Sequence, residues 1–321
     1  MSTHTHAPAA GTPYHRLART MPHRWWLPPA ATLVAVVGWL LLTLNAGFGL
    51  GVAASLAGVE LGTGDLLFAD PLWDNAAWLL MLALLLPAVL LAARLVQRRP
   101  VGTLSSVTGR LRWRWLLVCL GVAVAATLLL FGLTTVFTAG SGSGAFESTS
   151  AAWVGWPTFL AAAAMLVLLV PLQAAAEEYV FRGWIPQVFG CYLRTPWVGI
   201  TAGGLLFALS HGLGTPWGFA DLVLVGLVLG VLVIRTGGLE AAIALHVVNN
   251  LFFFLLSATV VDGLSDTTTN AGDAPWALLA AEAIVLPLYA WVVLRLSHRF
   301  RIARTAPDPT RRLAEPAATT A

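Results

Sequence analysis

Two adjacent glutamates, Glu177 and Glu178, stand four residues ahead of Arg182, and the run before them, TFLAAAAMLVLLVPLQ, is almost wholly apolar. A charge at the centre of a bilayer costs roughly 2.5–3.5 kcal/mol on insertion scales, so ionisable groups in such a run are candidates for chemistry. On a helix, residues four apart share a face, whereas neighbours diverge by about 100°. Glu178 can therefore pair with Arg182. Glu177 then points elsewhere without a partner on its own helix, as a general base that activates water would. The plainer alternative is a charge cluster that staples a helix at the membrane interface.

Two further stretches carry polar groups where the composition is apolar. His4, His6, His15, His23 and His298 fall in the tails, and only His211, in FALSH, and His246, in HVVNN, fall within apolar spans. A lone buried histidine is more often a satisfied core residue than a catalytic one. His246 and Asn250, however, share a helix face, and their N–H groups aimed at one point could hold a developing oxyanion. Alone, the same pair could serve as interhelical hydrogen-bond glue. Glu177 and His211 are equally far along the chain from Arg194, so a turn there would set them at equal height on antiparallel helices. His246 would lie about 13 Å into the membrane from the Gly237-Gly238 turn. Straight helices would put Glu177 and His211 nearer the outer side, at roughly 25 Å, unless the segment 183–193 runs along the interface, which in turn weakens the equal-height argument. A shared cavity in the inner half of the membrane is the expectation.

In this order, EEYVFR, FALSH and HVVNN resemble the EExxxR, FxxxH and Hxxx(N/D) motifs of the CPBP family of intramembrane proteases. That family includes the type II CAAX prenyl endopeptidases and bacteriocin-processing or immunity proteins. Glu177, Glu178 and Arg182 match the first motif, Phe207 and His211 the second, and His246 and Asn250 the third. The resemblance covers about 170–255. It implies an all-helical membrane protease in which Glu177 and His211 activate water, His246 and Asn250 stabilise the oxyanion, and Glu178 and Arg182 support them. The cofactor stays open. Glu177, His211 and His246 are a legitimate set for zinc or another divalent metal, with a fourth position for water. Yet the two histidines are not an HExxH pair on one helix, and Asn250 is a poor zinc ligand.

The elements that must position these groups are membrane helices. With 58% hydrophobic and only 10% charged residues and a mean hydropathy of +0.80, the chain is outside the soluble globular range. Apolar windows of about 20 residues, long enough to cross a bilayer, fall near 27–48, 75–97, 115–138, 157–180, 197–211, 217–235, 239–260 and 275–296. The fold class is thus an all-α, polytopic membrane protein of about eight helices, the fifth short or irregular. With the amino terminus inside, Arg94 to Arg114, Arg182, Arg194, Arg235 and Arg295 to Arg312 all lie toward the cytoplasm, and the outer loops carry acidic residues instead. Both termini are then cytoplasmic, in a multi-pass protein of the plasma membrane.

The expected division is a disordered tail at 1–22, three N-terminal helices within 23–152, a catalytic core of five helices at 153–302 and a second disordered tail at 303–321. Cys119 and Cys191 read as packing residues. The GxxxG spacings Gly199/Gly203 and Gly226/Gly230 read as close helix approaches. Asp221 is expected near the outer mouth of its helix, and Glu282 as an interhelical hydrogen-bond partner. The expected partners are the lipid bilayer and a membrane protein or peptide substrate, not nucleic acid, and the oligomeric state is open. Two other classes compete with the protease: a non-catalytic membrane scaffold or immunity protein, and an ion- or proton-coupled transporter. The absence of inverted-repeat symmetry speaks against the transporter.

Overall fold

Lipid offers the backbone no hydrogen-bonding partner, so a segment that crosses it must close its bonds internally. The computed structural model describes residues 8–20, 24–140, 152–265 and 271–308, and its crossing segments are all helical. The helices are α1 (Leu27–Ala57), α2 (Pro71–Ala83), α3 (Leu85–Leu95), α4 (Trp113–Gly140), α5 (Trp156–Glu178), α6 (Ile185–Gly190), α7 (Trp197–Ser210), α8 (Pro216–Thr236), α9 (Glu240–Ser257) and α10 (Trp276–Arg299). Among the described residues, seven segments are long and apolar enough to cross a membrane, with α2 and α3 forming one of them and α5 and α6 another. The shorter α7 is the apolar helix expected to be short.

Local chemistry explains the breaks. Proline lacks an N–H and its ring clashes with the carbonyl four residues back, and Pro87 sits within the first turn of α3, directly after α2 ends. The Asp70 carboxylate caps α2 by accepting from the amides of Leu72 at 2.9 Å and Trp73 at 3.2 Å. Residues 183–190 do not leave the helical segment that α5 begins. They continue the path of α5 through one turn of π-helix, Tyr179–Trp184, into α6.

The largest buried cluster joins Cys119, Ala123 and Leu130 of α4 to Ala241–Leu245 of α9 and to Val285, Leu286 and Tyr289 of α10. Although the sequence groups α4 with the N-terminal helices, it packs as part of the core. The four GxxxG glycines all lie at close approaches. A Cβ on Gly199 would stand 2.7 Å from Pro186 Cα, on Gly203 2.3 Å from the Phe181 carbonyl oxygen, on Gly226 2.5 Å from Gly204 Cα, and on Gly230 2.8 Å from Ile200 Cγ2.

Parts of the tails depart from the expected disorder. The backbone of Gly11 donates to the Ala306 carbonyl at 2.8 Å, and Ala306 returns a bond to Thr12 at 2.9 Å, so the two terminal segments pair with each other. Tyr14 and Leu17 are fully buried, and the Tyr14 hydroxyl donates to the Leu104 carbonyl. His15 Nε2 bonds the Arg194 carbonyl at 3.0 Å, and Arg19 donates to the Cys191 carbonyl at 2.8 Å. A segment dominated by Pro, Thr, Ala and Arg conceals these anchors because Tyr14 and Leu17, three residues apart, form one apolar face on a single turn of 3-10 helix. The remaining tail residues, 1–7, 21–23 and 309–321, and the GSGSG linker from 141 onward lie outside the described residues.

Two predictions follow from this packing. Gly203→Ala forces a methyl group against a backbone carbonyl and should destabilise the protein by about 1–3 kcal/mol. Gly121→Ala, which meets nothing within 4 Å, should be neutral or slightly stabilising. Thermal unfolding in detergent compares the two, and equal behaviour would refute the close-approach reading. For the tail, burial lowers the proton affinity of His15 below the ordinary histidine value of 6.5, outweighing the Arg194 carbonyl, which raises it. Its Nδ1 is buried without a hydrogen-bond partner, so a second ring proton would have nowhere to bond. The undocked segment therefore binds more protons at acidic pH, and docking weakens as pH falls through about 6.5. A spin label on Ala9→Cys should become more mobile between about pH 7.5 and about pH 5.5, and His15→Gln should flatten that dependence.

Candidate active site

The site begins where α5 gives way to the π turn. A π turn is rare and is found mostly as a single turn at functional positions. Here it directly follows Glu178 and contains Arg182. Arg182 Nη1 donates to Glu178 Oε1 at 2.9 Å, the i,i+4 pair expected from the sequence, with side-chain exposures of 1% and 0%. The same oxygen takes a second bond, 2.7 Å from His246 Nδ1. A carboxylate can only accept, so Nδ1 carries the proton. The opposite ring nitrogen, Nε2, stands 3.6 Å from Glu177 Oε2. Glu177 thus has no partner on its own helix, as expected, but it faces His246 from across the bundle. His246 bridges the two glutamates.

Phe207 gathers the other groups. The Arg182 guanidinium lies 4.1 Å above its ring centroid, a cation–π contact that gains from desolvation. The His246 ring meets it edge-on at 5.8 Å and the His211 ring lies 4.7 Å away. His211 Nδ1 donates to the Phe207 carbonyl at 2.9 Å, which fixes the tautomer and places the lone pair on Nε2. Asn250 Nδ2 approaches Gln173 Oε1 at 3.4 Å. The structure therefore brings Glu177, Glu178, Arg182 and His246 into direct contact, joins His211 to them through Phe207, and sets Asn250 against Gln173, one turn before Glu177.

Gln173 was not singled out from the sequence, although it is the one amide in the apolar run ahead of Glu177 and sits four residues before it. The support of Tyr179 was also not legible. Its hydroxyl is 2.6 Å from Ser105 Oγ, on a loop far away in sequence. Asp221 lies five residues into α8, near the start of that helix as expected, but it is only 5% exposed, and Glu282 is 3% exposed. Glu282 has the Asn249 amide as a hydrogen-bonding neighbour, and Thr127 donates to Asn249 Oδ1 at 2.6 Å.

Glu177 Oε2, Glu178 Oε2, and Nε and Nη2 of Arg182 are buried without a hydrogen-bond partner in the chain. Buried polar atoms are nearly always bonded, so the glutamate oxygens are points to which water can donate and the arginine nitrogens points from which water or a substrate carbonyl can accept. Among the described residues, no three His, Cys, Asp or Glu side chains converge closely enough to hold a metal ion. Glu177, His211 and His246 do not form a ligand set in this arrangement.

Comparison with known proteins agrees with the motifs. Residues 158–252 match the type II CAAX prenyl endopeptidase Rce1-like family. This Rce1-like domain spans all three motifs, from Glu177 to Asn250, together with Gln173. The uncharacterized protein YyaK of Bacillus subtilis (strain 168) is 28% identical over 242 residues, which is 72% of this chain and 78% of that protein. No solved structure matches the chain. Over residues 158–252 the chain is similar to this family, and its apolar helices make it a multi-pass membrane protein.

The buried ion pair yields its own test. Arg182→Leu strands Glu178 in a low dielectric and should cost about 3–5 kcal/mol, whereas removing both charges in Arg182→Leu/Glu178→Leu should recover part of that loss. A thermal-unfolding double-mutant cycle reads the coupling, and additive losses would show that the two residues do not support each other.

Proposed function

We propose that the chain is an intramembrane endopeptidase that hydrolyses a peptide bond of a membrane-associated protein or peptide. The observation that carries this reading is His246 held between Glu177 and Glu178, inside a match to an endopeptidase family. In its imidazolium form His246 offers an N–H from each ring nitrogen. Its Nδ1–H is committed to Glu178. Its Nε2–H is then directed at the Glu177 side of the site, where a substrate carbonyl oxygen can accept it.

In the first step, Glu177 takes a proton from water while the water oxygen bonds to the scissile carbonyl carbon, and the C=O electron pair moves onto oxygen. His246 and the Asn250 amide donate to that oxyanion. His211, with its lone pair on Nε2, orients the water alongside Glu177. In the second step the carbonyl re-forms, the C–N bond breaks, and Glu177 returns its proton to the leaving amine. Glu178, itself held by Arg182, positions His246. The arginine-rich end of the bundle is the cytoplasmic one in this proposal, the membrane is the plasma membrane, and the partners are lipid and a membrane polypeptide, with no role for nucleic acid.

A proton-coupled transporter is the second reading, favoured by the buried carboxylates Asp221 and Glu282 behind α9. One preparation separates the two. Purified protein in liposomes is given a library of membrane peptides and, separately, a pH gradient. Cleavage by wild type that falls at least about 100-fold in Glu177→Gln, in a variant that unfolds at the same temperature, supports the peptidase. Proton flux without cleavage would transfer the site to transport. Cleavage that survives a chelator supports water activated by Glu177 without metal, and its loss would restore Glu177, His211 and His246 as ligands of a divalent ion.

A further inference from the structure

The loop before α4 forms a cleft that the proteolytic reading does not use. It encloses about 610 Å³ and is lined by Ser105, Arg110, Leu111, Arg112, Trp113 and Arg114. Three of the lining residues are arginines and none is acidic. Arg112 is fully occupied: Nε and Nη2 grip the two oxygens of Glu240 at 2.8 and 2.6 Å, and Nη1 donates to the carbonyls of Thr236 and Ala303, each at 3.0 Å. Glu240 neutralises that one charge only. Arg110 and Arg114 are exposed, and their charges add to the positive end of the α4 dipole.

The position of the cleft decides what would enter it. Trp113 is exposed and is the first residue of α4, a segment long enough to cross the membrane. A tryptophan at the start of a crossing helix marks the level of lipid headgroups. Trp113 lines the cleft, which sets the cleft at that level, where a phosphate carrying acyl chains is the abundant anion. Arginine is suited to it because its planar fork bonds phosphate oxygens in pairs. We propose that this cleft binds the headgroup of an anionic phospholipid.

Occupancy would bear on the active site through the cleft wall itself. Ser105 Oγ contacts the hydroxyl of Tyr179, the residue after Glu178. The Ser105 carbonyl accepts from the Leu239 amide at 2.9 Å, just before α9 begins. Arg112 holds Glu240, the first residue of α9, which carries His246 and Asn250. A headgroup drawn in by Arg110 and Arg114 therefore settles on the loop that sets both the π turn and α9.

The test is direct binding, independent of any peptidase activity. Native mass spectrometry of the full chain in detergent, titrated with phosphatidylglycerol or phosphatidylcholine, should show one phosphatidylglycerol bound about 10-fold more tightly than phosphatidylcholine. Arg110→Ala/Arg114→Ala should lose that preference while unfolding at the wild-type temperature, and Arg94→Ala, an exposed arginine at the end of α3, should keep it. Equal binding of the two lipids overturns the proposal, as does a preference that persists in the double variant. Displacement of the lipid by inorganic phosphate or by a peptide with a free terminal carboxylate, at concentrations comparable to the lipid's, would assign the cleft to a soluble anion or to polypeptide and refute the lipid assignment.

Discussion

One oxygen atom organises the catalytic half of this molecule. Glu178 Oε1 accepts from Arg182 on its own helical path and from His246 on α9. In a membrane interior a carboxylate with no cation is too costly to keep, and breaking such a pair costs far more than an exposed one. The two bonds therefore fix the rotation of α5 at its end, the position of the π turn and the placement of α9 together. Phe207 adds the third helix by lying under the Arg182 guanidinium, so α7 is bound to the same charge. The side chains proposed for chemistry share their supports with the fold.

A second ion pair holds α9 from below. Glu240 is completely buried and engages Arg112 through both oxygens. His246 lies six residues later, about 9 Å along the helix. With its first residue anchored to the α4 loop and its middle anchored to Glu178, α9 cannot rotate or slide without breaking a buried charge pair. This is the rigidity an oxyanion donor needs, since donors act only when they need not reorganise as charge develops. Arg112 also bonds a carbonyl in the C-terminal segment, and that segment pairs with residues 11 and 12. The terminal segments thus close the same end of the bundle.

What the sequence revealed and what it concealed divide along physical lines. Membrane spans are legible because lipid imposes length and hydropathy on each segment separately, and the EEYVFR pair is legible because i,i+4 spacing is local. His246 was legible as a polar group in an apolar helix, but not as the bridge between Glu177 and Glu178, because that depends on how two helices far apart in sequence are rotated. The Ser105–Tyr179 contact, the docking of Tyr14 and the burial of Asp221 fail to show for the same reason. Gln173 is different. It satisfied the rule that selected the others, a polar group in a lipid-grade run, and was overshadowed by the charges beside it.

The way the three helices meet explains why the motifs have the spacing they do. Gln173 and Glu177 are one turn apart on α5, and so are Asn250 and His246 on α9. Gln173 faces Asn250 and Glu177 faces His246, so a step up one helix is a step down the other, the register of an antiparallel pair. Along α7 and the residue that caps its end, Gly203, Phe207 and His211 repeat the same four-residue step. Gly203 lets α7 close onto the Phe181 carbonyl of the π turn, Phe207 then meets Arg182, and His211 follows one turn further on. A side chain at Gly203 would hold α7 away from the π turn and lift Phe207 and His211 from the cluster together. The glycine is therefore as much a part of the site as the histidine it delivers.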